Sequence, residues 1–170
     1  MKRLFKVALV AGCMLLTAGF AKAQGKMGYV DFNAIVDAMP ETKTLQTQLQ
    51  TYQKTFMDQL QTMQNEFQTK GAAYEKSRAT MTDATRTATE NELQDIQKRI
   101  QDYTNTAQQQ VQAKSNELSK PLFDKVRGAI TAVAKEKGYT YVVDSATTNL
   151  LVSPPTDNLL AAVKLKLGLK

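Results

Sequence analysis

The sequence contains no histidine, and its single cysteine, Cys13, lies close to the N-terminus. Downstream of residue 23 there is no thiol at all. Thiol nucleophiles, disulfides, zinc sites with Cys or His ligands and the commonest general base are therefore absent from that stretch. Beyond the first apolar run, no segment approaches the roughly 20 consecutive apolar residues that a membrane-spanning helix needs.

What is present begins with a leader-like pattern. Met1–Lys6 is short and basic, Val7–Phe20 is apolar, and Ala21-Lys22-Ala23 is a small-x-small motif before Gln24. These features predict a secretory signal peptide over residues 1–23, cleaved between Ala23 and Gln24, and so an exported product. A second reading takes Val10-Ala11-Gly12-Cys13 as a lipoprotein site that would leave a lipid on Cys13. Only about three apolar residues would then separate the site from Lys6, which disfavours it. Loss of Lys2, Arg3, Lys6 and Lys22 with the leader reduces 22 basic residues to 18 against 16 acidic ones, so a formal charge of +6 becomes +2. The basic character belongs mainly to the leader, and charge gives no case for nucleic-acid binding.

The dominant feature is an apolar stripe. Leu45, Leu49, Tyr52, Phe56, Leu60, Met63, Phe67, Gly71 and Tyr74 are spaced in steps of four and three that repeat every eleven residues. An eleven-residue repeat advances about 3.67 residues per turn and favours a straight or slightly right-handed helix pair. A returning stripe follows at Leu93, Ile96, Ile100, Tyr103, Ala107, Val111, Leu118 and Leu122, interrupted by Lys114. Two such narrow stripes need each other, which predicts an antiparallel helical coiled-coil hairpin over 42–119 with its tip at about 77–89. Pro40 fits the first helical position and Glu41 its positive end. Thr87 followed by Glu90 reads as a capping box that restarts the helix. Gly71 either allows close approach of the arms or softens the helix, and softening is the expectation.

The flanks read as one small α/β body made from 24–41 and 120–170. Strands are expected at 27–32 (MGYVDF), 139–144 (YTYVVD) and 149–152, with a Ser145–Thr148 turn between the last two. Asn33 is expected to cap a brief helix through Met39. Pro121 should kink or restart the helix that runs to Lys137, and Gly138 should stop it. Thr156 is expected to cap a last helix, Asn158–Leu167, that ends at Gly168. The fold class is thus α+β and mostly helical, with the hairpin inserted between the strands of a small body. A sheet this small exposes edges and apolar faces, so self-association is expected, with Tyr29, Val30, Val142 and Val143 at or near the shared interface.

The leader, the MGYVDF strand, the Ala-Met-Pro-Glu start of a long coiled hairpin, the Pro121 helix and the Gly-Tyr-Thr-Tyr-Val-Val-Asp run together resemble the Skp/OmpH family of periplasmic chaperones. The resemblance covers essentially the whole chain after the leader. It implies a homotrimer with a β-rich body and three tentacle-like hairpins enclosing a cavity. That cavity would hold unfolded outer-membrane β-barrel proteins without ATP or any cofactor, with membrane contact at most peripheral. The chain departs from the family pattern of strongly basic tentacles, because Leu45–Ser119 carries eight basic against nine acidic residues.

Client contacts are accordingly expected at the methionines Met57, Met63 and Met81, whose thioethers suit varied apolar partners. A local basic cluster of Lys76, Arg78 and Arg86 near the tip is the other candidate contact. A structural coiled-coil spacer or adaptor of the cell envelope is an alternative that explains the hairpin but not the strand body. An enzyme would have to use Asp31, Asp144 and Asp157, each of which also reads as a strand-edge or capping residue. No catalytic or metal site is expected.

Overall fold

In a computed structural model the described residues are 25–169. The expected leader, its cleavage point at Ala23 and Gln24, and Cys13 lie outside them. About 77% of the described residues are helical. The element order is β1 (Met27–Val30), α1 (Phe32–Ala38), α2 (Pro40–Ser77), a 3-10 turn (Arg78–Thr80), α3 (Asp83–Glu136), β2 (Tyr141–Asp144), a second 3-10 turn (Pro155–Asp157) and α4 (Leu160–Lys166). The chain divides into two units. One combines the described residues up to Ile35 with the described residues from Val126 onward, and the other is Val36–Lys125.

Unit Val36–Lys125 is the hairpin. Pro40 occupies the first turn of α2, where its missing N–H costs nothing, and Glu41 lies in the same turn. Every stripe residue from Leu45 to Tyr74 is at least half-buried, while most positions between them are open to solvent. Ile96, Ala107 and Leu122 are the buried counterparts on α3. Cross-arm contacts run in antiparallel register. Tyr52 Oη donates to Gln110 Oε1 at 3.3 Å, the rings of Phe56 and Tyr103 lie 6.0 Å apart, Arg99 pairs with Glu66, Lys70 with Glu92, and Tyr74 with Glu90. Gly71 does not bring the arms together, since a Cβ built there would meet nothing within 4 Å.

The connection between the arms is shorter than the sequence suggests. After the Arg78–Thr80 turn, Met81 is extended, and α3 begins at Asp83. Thr82 provides the cap, its Oγ1 accepting from the Thr85 N–H at 3.3 Å, so the expected restart at Thr87 and Glu90 is displaced by a turn. Glu90 instead turns its carboxylate to Tyr74. The return helix also continues where a break was expected: α3 passes through Pro121 without interruption to Glu136. Proline removes one hydrogen bond, to the carbonyl of Glu117. Long helical stretches on both sides supply the cooperativity that keeps the rest formed, and the Pro121 ring faces solvent.

The other unit is built around a two-stranded parallel sheet in the register Met27↔Tyr141, Gly28↔Val142, Tyr29↔Val143 and Val30↔Asp144. Parallel strands require a long crossover, and the whole hairpin serves as one. Val30, Ile35, Val126, Val133, Leu159 and Val163 are each at most 2% exposed and form its core. Both strands are shorter than expected. Asp31 ends β1 by capping α1, its Oδ1 accepting from the Ala34 N–H at 2.8 Å, so Asp31 rather than Asn33 is the cap and Phe32 opens the helix. Tyr139 belongs to the stop of α3. Gly138 takes a left-handed φ of 72° and the Tyr139 N–H donates to Ala134 O at 2.8 Å, the hydrogen-bond pattern of a glycine-ended helix.

The expected third strand, 149–152, is not formed. Asn158 bridges to Tyr29 and the Leu159 N–H donates to Tyr29 O at 2.9 Å, so the place beside β1 is taken and 149–152 pairs with nothing. The last helix is also shorter than Asn158–Leu167. Thr156 lies in a 3-10 turn and caps nothing, whereas Asn158 Oδ1 accepts from the Leu160 N–H at 2.9 Å. Gly168 closes the helix with φ 75°.

Candidate functional surfaces

On the hairpin, the stripe is consumed by the packing of the arms, so any surface for another molecule must come from residues off it. Met57 is 67% exposed on α2 and offers its thioether to solvent. Met63 is half-buried within the stripe, and Met81 is half-buried at the tip. The tip cations divide. Lys76 and Arg78 are exposed, and Arg78 lies 5.9 Å over the Tyr74 ring. Arg86 is half-buried, pairs with Asp83 at 3.4 Å, and has a buried Nε without a hydrogen-bond partner. The charges of Arg78 and Arg86 both act on the Tyr74 hydroxyl, so these two share one neighbourhood. That neighbourhood also holds Glu90, whose hydrogen bond raises the Tyr74 pKa above its ordinary value.

Most remaining charges on the hairpin are spent within it. Lys54 pairs with Asp58, Lys98 with Asp102 and Lys114 with Glu117, and the hydrogen bond from Lys98 to Asp102 holds the lysine pKa above its usual value. The cross-arm pairs Glu66–Arg99 and Lys70–Glu92 were not foreseen from the sequence. Their signal was the position of Glu66 and Lys70 beside Phe67 and Gly71 of the stripe, the flank from which charges reach across a helix pair. At the open end, Lys125 pairs with Glu41 and lowers its pKa. A groove of about 500 Å³ there is floored by Leu45, Leu118 and Leu122.

In the strand-bearing unit, the three carboxylates considered for chemistry are committed to structure. Asp31 caps α1. Asp144 Oδ1 accepts from the N–H groups of Phe32 at 3.2 Å and Ala146 at 3.0 Å, and Asp157 Oδ1 accepts from Tyr139 Oη at 2.9 Å. Among the described residues no group of three or more His, Cys, Asp or Glu side chains could hold a metal ion, and no helix is long and apolar enough to cross a membrane.

The apolar strand residues behave unequally. Val30 is buried inside its own chain at 2% exposure, whereas Tyr29, Val142 and Val143 are half-buried. Tyr141 and Met27 at the strand ends, and Leu151 and Val152 beyond the turn, are exposed.

The architecture is a long two-helix hairpin inserted between the strands of a small parallel sheet. The family model for Outer membrane protein (OmpH-like) matches residues 26–167, nearly all of the described chain, and the protein belongs to that family. A relative from Yersinia enterocolitica, Chaperone protein Skp, is 27% identical over 135 residues, spanning 78% of this chain and 80% of the relative. A crystal structure of an OmpH-like protein from Caulobacter crescentus CB15 superposes with a TM-score of 0.69 at 14% identity, covering 86% of both chains, and shares the fold.

Proposed function

We propose that this protein is an ATP-independent holdase of the periplasm that assembles as a homotrimer and keeps unfolded outer-membrane β-barrel proteins from aggregating. The observation that carries the reading is the hairpin itself. Its apolar stripe is closed between the arms and its charges are largely paired with one another, leaving a near-neutral, glutamine-rich surface on which Met57 is the most exposed large apolar side chain. Such a surface offers weak, adaptable contacts, which suits loose holding of varied chains. Membership of the OmpH-like family and the likeness to a protein named Chaperone protein Skp support the same reading. Export through the leader over residues 1–23 supplies the compartment, and no ATP, metal or cofactor enters the cycle.

The test is light scattering of an unfolded outer-membrane β-barrel protein diluted from denaturant, with and without the purified chain lacking its leader. Suppression at stoichiometric amounts is expected. An in-register deletion of about Leu49–Val111 should leave a folded, associating body that no longer protects the client. Undiminished aggregation with the intact protein would overturn the proposal and favour a coiled-coil spacer of the envelope.

A further inference from the structure

We infer that the hairpin has one working face, two side-by-side rows of uncharged amides that include Met57, and that this face takes the main chain of an extended, unfolded polypeptide. The inference deepens the holdase reading and rests on it. It begins from the position that follows each seam residue. After Leu45 to Phe67 on α2 those positions are Gln46, Gln50, Gln53, Met57, Gln61, Gln64 and Gln68, in the same steps of four and three as the stripe. After Leu93 to Val111 on α3 they are Gln94, Gln97, Gln101, Thr104, Gln108 and Gln112. Neither row contains an ionisable side chain.

The positions that precede the seam are of another kind. Glu66, Lys70, Glu92, Asp95, Arg99 and Asp102 all stand there. Arg99 pairs with Glu66 across the arms at 3.7 Å, and Lys70 pairs with Glu92. All four immediately precede a seam residue, Ile100, Phe67, Gly71 and Leu93 respectively. One step along a helix turns the side chain by about 100°, so the positions before the seam of both arms share one face of the pair and the positions after it share the opposite face. One face is charged and bridged, and the other is built of amides. Every side chain of the two amide rows is exposed except Gln53 and Thr104, which are half-buried. Gln61 donates to Asn65 at 2.9 Å and Gln112 to Asn116 at 3.1 Å, while the other amides of the rows make no hydrogen bond with the described residues.

A glutamine carboxamide repeats the chemistry of the peptide group, a carbonyl acceptor beside N–H donors. An unfolded chain presents such groups unpaired along its length, whereas a closed barrel has paired its own. The face therefore suits main chain rather than a particular side-chain sequence, and its lack of charge makes it indifferent to the sign of the client's charge. Its length fits as well. Gln46 to Gln68 spans about 33 Å of helix, and a strand that crosses an outer membrane, about 10 residues at about 3.3 Å each, is as long. Each bond replaces one made to water and contributes little alone, so the hold is loose and is lost when the client pairs its strands. Met57, 67% exposed in the middle of its row, adds an adaptable apolar contact for the client's side chains.

The test uses the whole chain without its leader, which has no cysteine, and an unfolded outer-membrane β-barrel protein as the probe. A fluorophore on Gln61→Cys or Gln97→Cys should be shielded from an aqueous quencher when the unfolded client is added. One on Gln59→Cys or Asp95→Cys, on the opposite face, should stay open, and the folded barrel should shield neither. Gln53→Met, Gln64→Met, Gln97→Met and Gln101→Met keep the side-chain length and remove the amide. Together they should weaken capture about tenfold, while the same exchange at Gln48, Gln59, Gln109 and Gln110, off the face, should change it by less than about twofold. Helical circular dichroism shows that each variant is folded. A wild-type chain that neither shields a probe nor suppresses aggregation would overturn the holdase reading and this inference with it. Capture with equal shielding of both faces, or with equal loss from both glutamine sets, would overturn the face alone. If the four methionines on the face leave capture unchanged or strengthen it, or if the folded barrel shields as well as the unfolded one, main-chain recognition is wrong. Shielding that rises with the concentration of the chain itself, without client, would make a second copy the occupant and overturn the assignment.

Discussion

Tyr74 Oη donates to a carboxylate oxygen of Glu90 across the two arms, and Tyr74 is the one residue of α2 that the hairpin buries. A phenol held against a carboxylate ionises reluctantly, and its pKa is raised chiefly for that reason. Below about pH 10, the ordinary tyrosine value, Tyr74 is protonated in both folded and unfolded chains and its contribution to the tip is intact. As pH rises through the raised value the unfolded phenol ionises first and stability is lost. Tyr74→Phe should reduce this alkaline sensitivity. At neutral pH it should also weaken the tip, because the hydrogen bond to Glu90 is lost. Hydrogen exchange of amides 72–92 in the two proteins at neutral and alkaline pH measures both effects.

Gly71→Ala should stabilise the hairpin by about 0.5–1 kcal/mol, because the glycine sits inside a helix with ordinary dihedrals and the added methyl meets no atom within 4 Å. A rise in melting temperature is expected. A fall would mean that Gly71 answers to a contact outside the single chain.

Gly28→Ala should do the reverse. A Cβ at Gly28 would stand 2.9 Å from Tyr139 Cδ1 and 3.1 Å from Leu159 Cδ1. Tyr139 cannot easily give way, since its hydroxyl is held by Asp157 and its ring lies under the Lys26 ammonium at 3.9 Å. A loss of about 1–3 kcal/mol is expected from this overpacking, read from chemical denaturation.

Capture of an unfolded β-barrel client should change less than about tenfold, or 1.4 kcal/mol, between low and moderate salt, because a near-neutral hairpin offers little for ions to screen. Joint charge reversal at Lys76, Arg78 and Arg86 should matter less than Met57→Ser with Met81→Ser. Titration of a fluorescent client at two salt concentrations decides between them, and a collapse with salt would make capture electrostatic. The Arg86 reversal needs its own melting curve, because that side chain is half-buried and paired with Asp83.

Long-range periodicity was the legible part of the sequence. A stripe of nine residues on one arm and its partner on the other determine the hairpin and its register, because burial of a continuous face outweighs any single local preference. Local punctuation was less reliable. Pro121 reads as a boundary yet sits inside one helix, and Asn33 reads as a cap while Asp31, two residues earlier, holds the helix start. The run at 149–152 has the composition of a strand but no partner in its own chain, which a single sequence has no means to express. The cross-arm charges escaped for the opposite reason. Their partners are distant in sequence and are fixed only once the stripes are in register.

The parallel pairing of Met27 with Tyr141 joins residues more than a hundred apart, and this has a kinetic consequence. Closing so long an unstructured loop costs roughly 4 kcal/mol in chain entropy. The hairpin lowers that cost beforehand, because its contacts spread outward from a short turn at Arg78–Thr82 and finish with Glu41 beside Lys125 at the open end. Only then are the two halves of the sheet within reach of each other. Refolding should therefore proceed from the tip downward, with the helical signal complete before Tyr139 is buried. Lengthening the turn should slow the strands' meeting more than it weakens the finished protein.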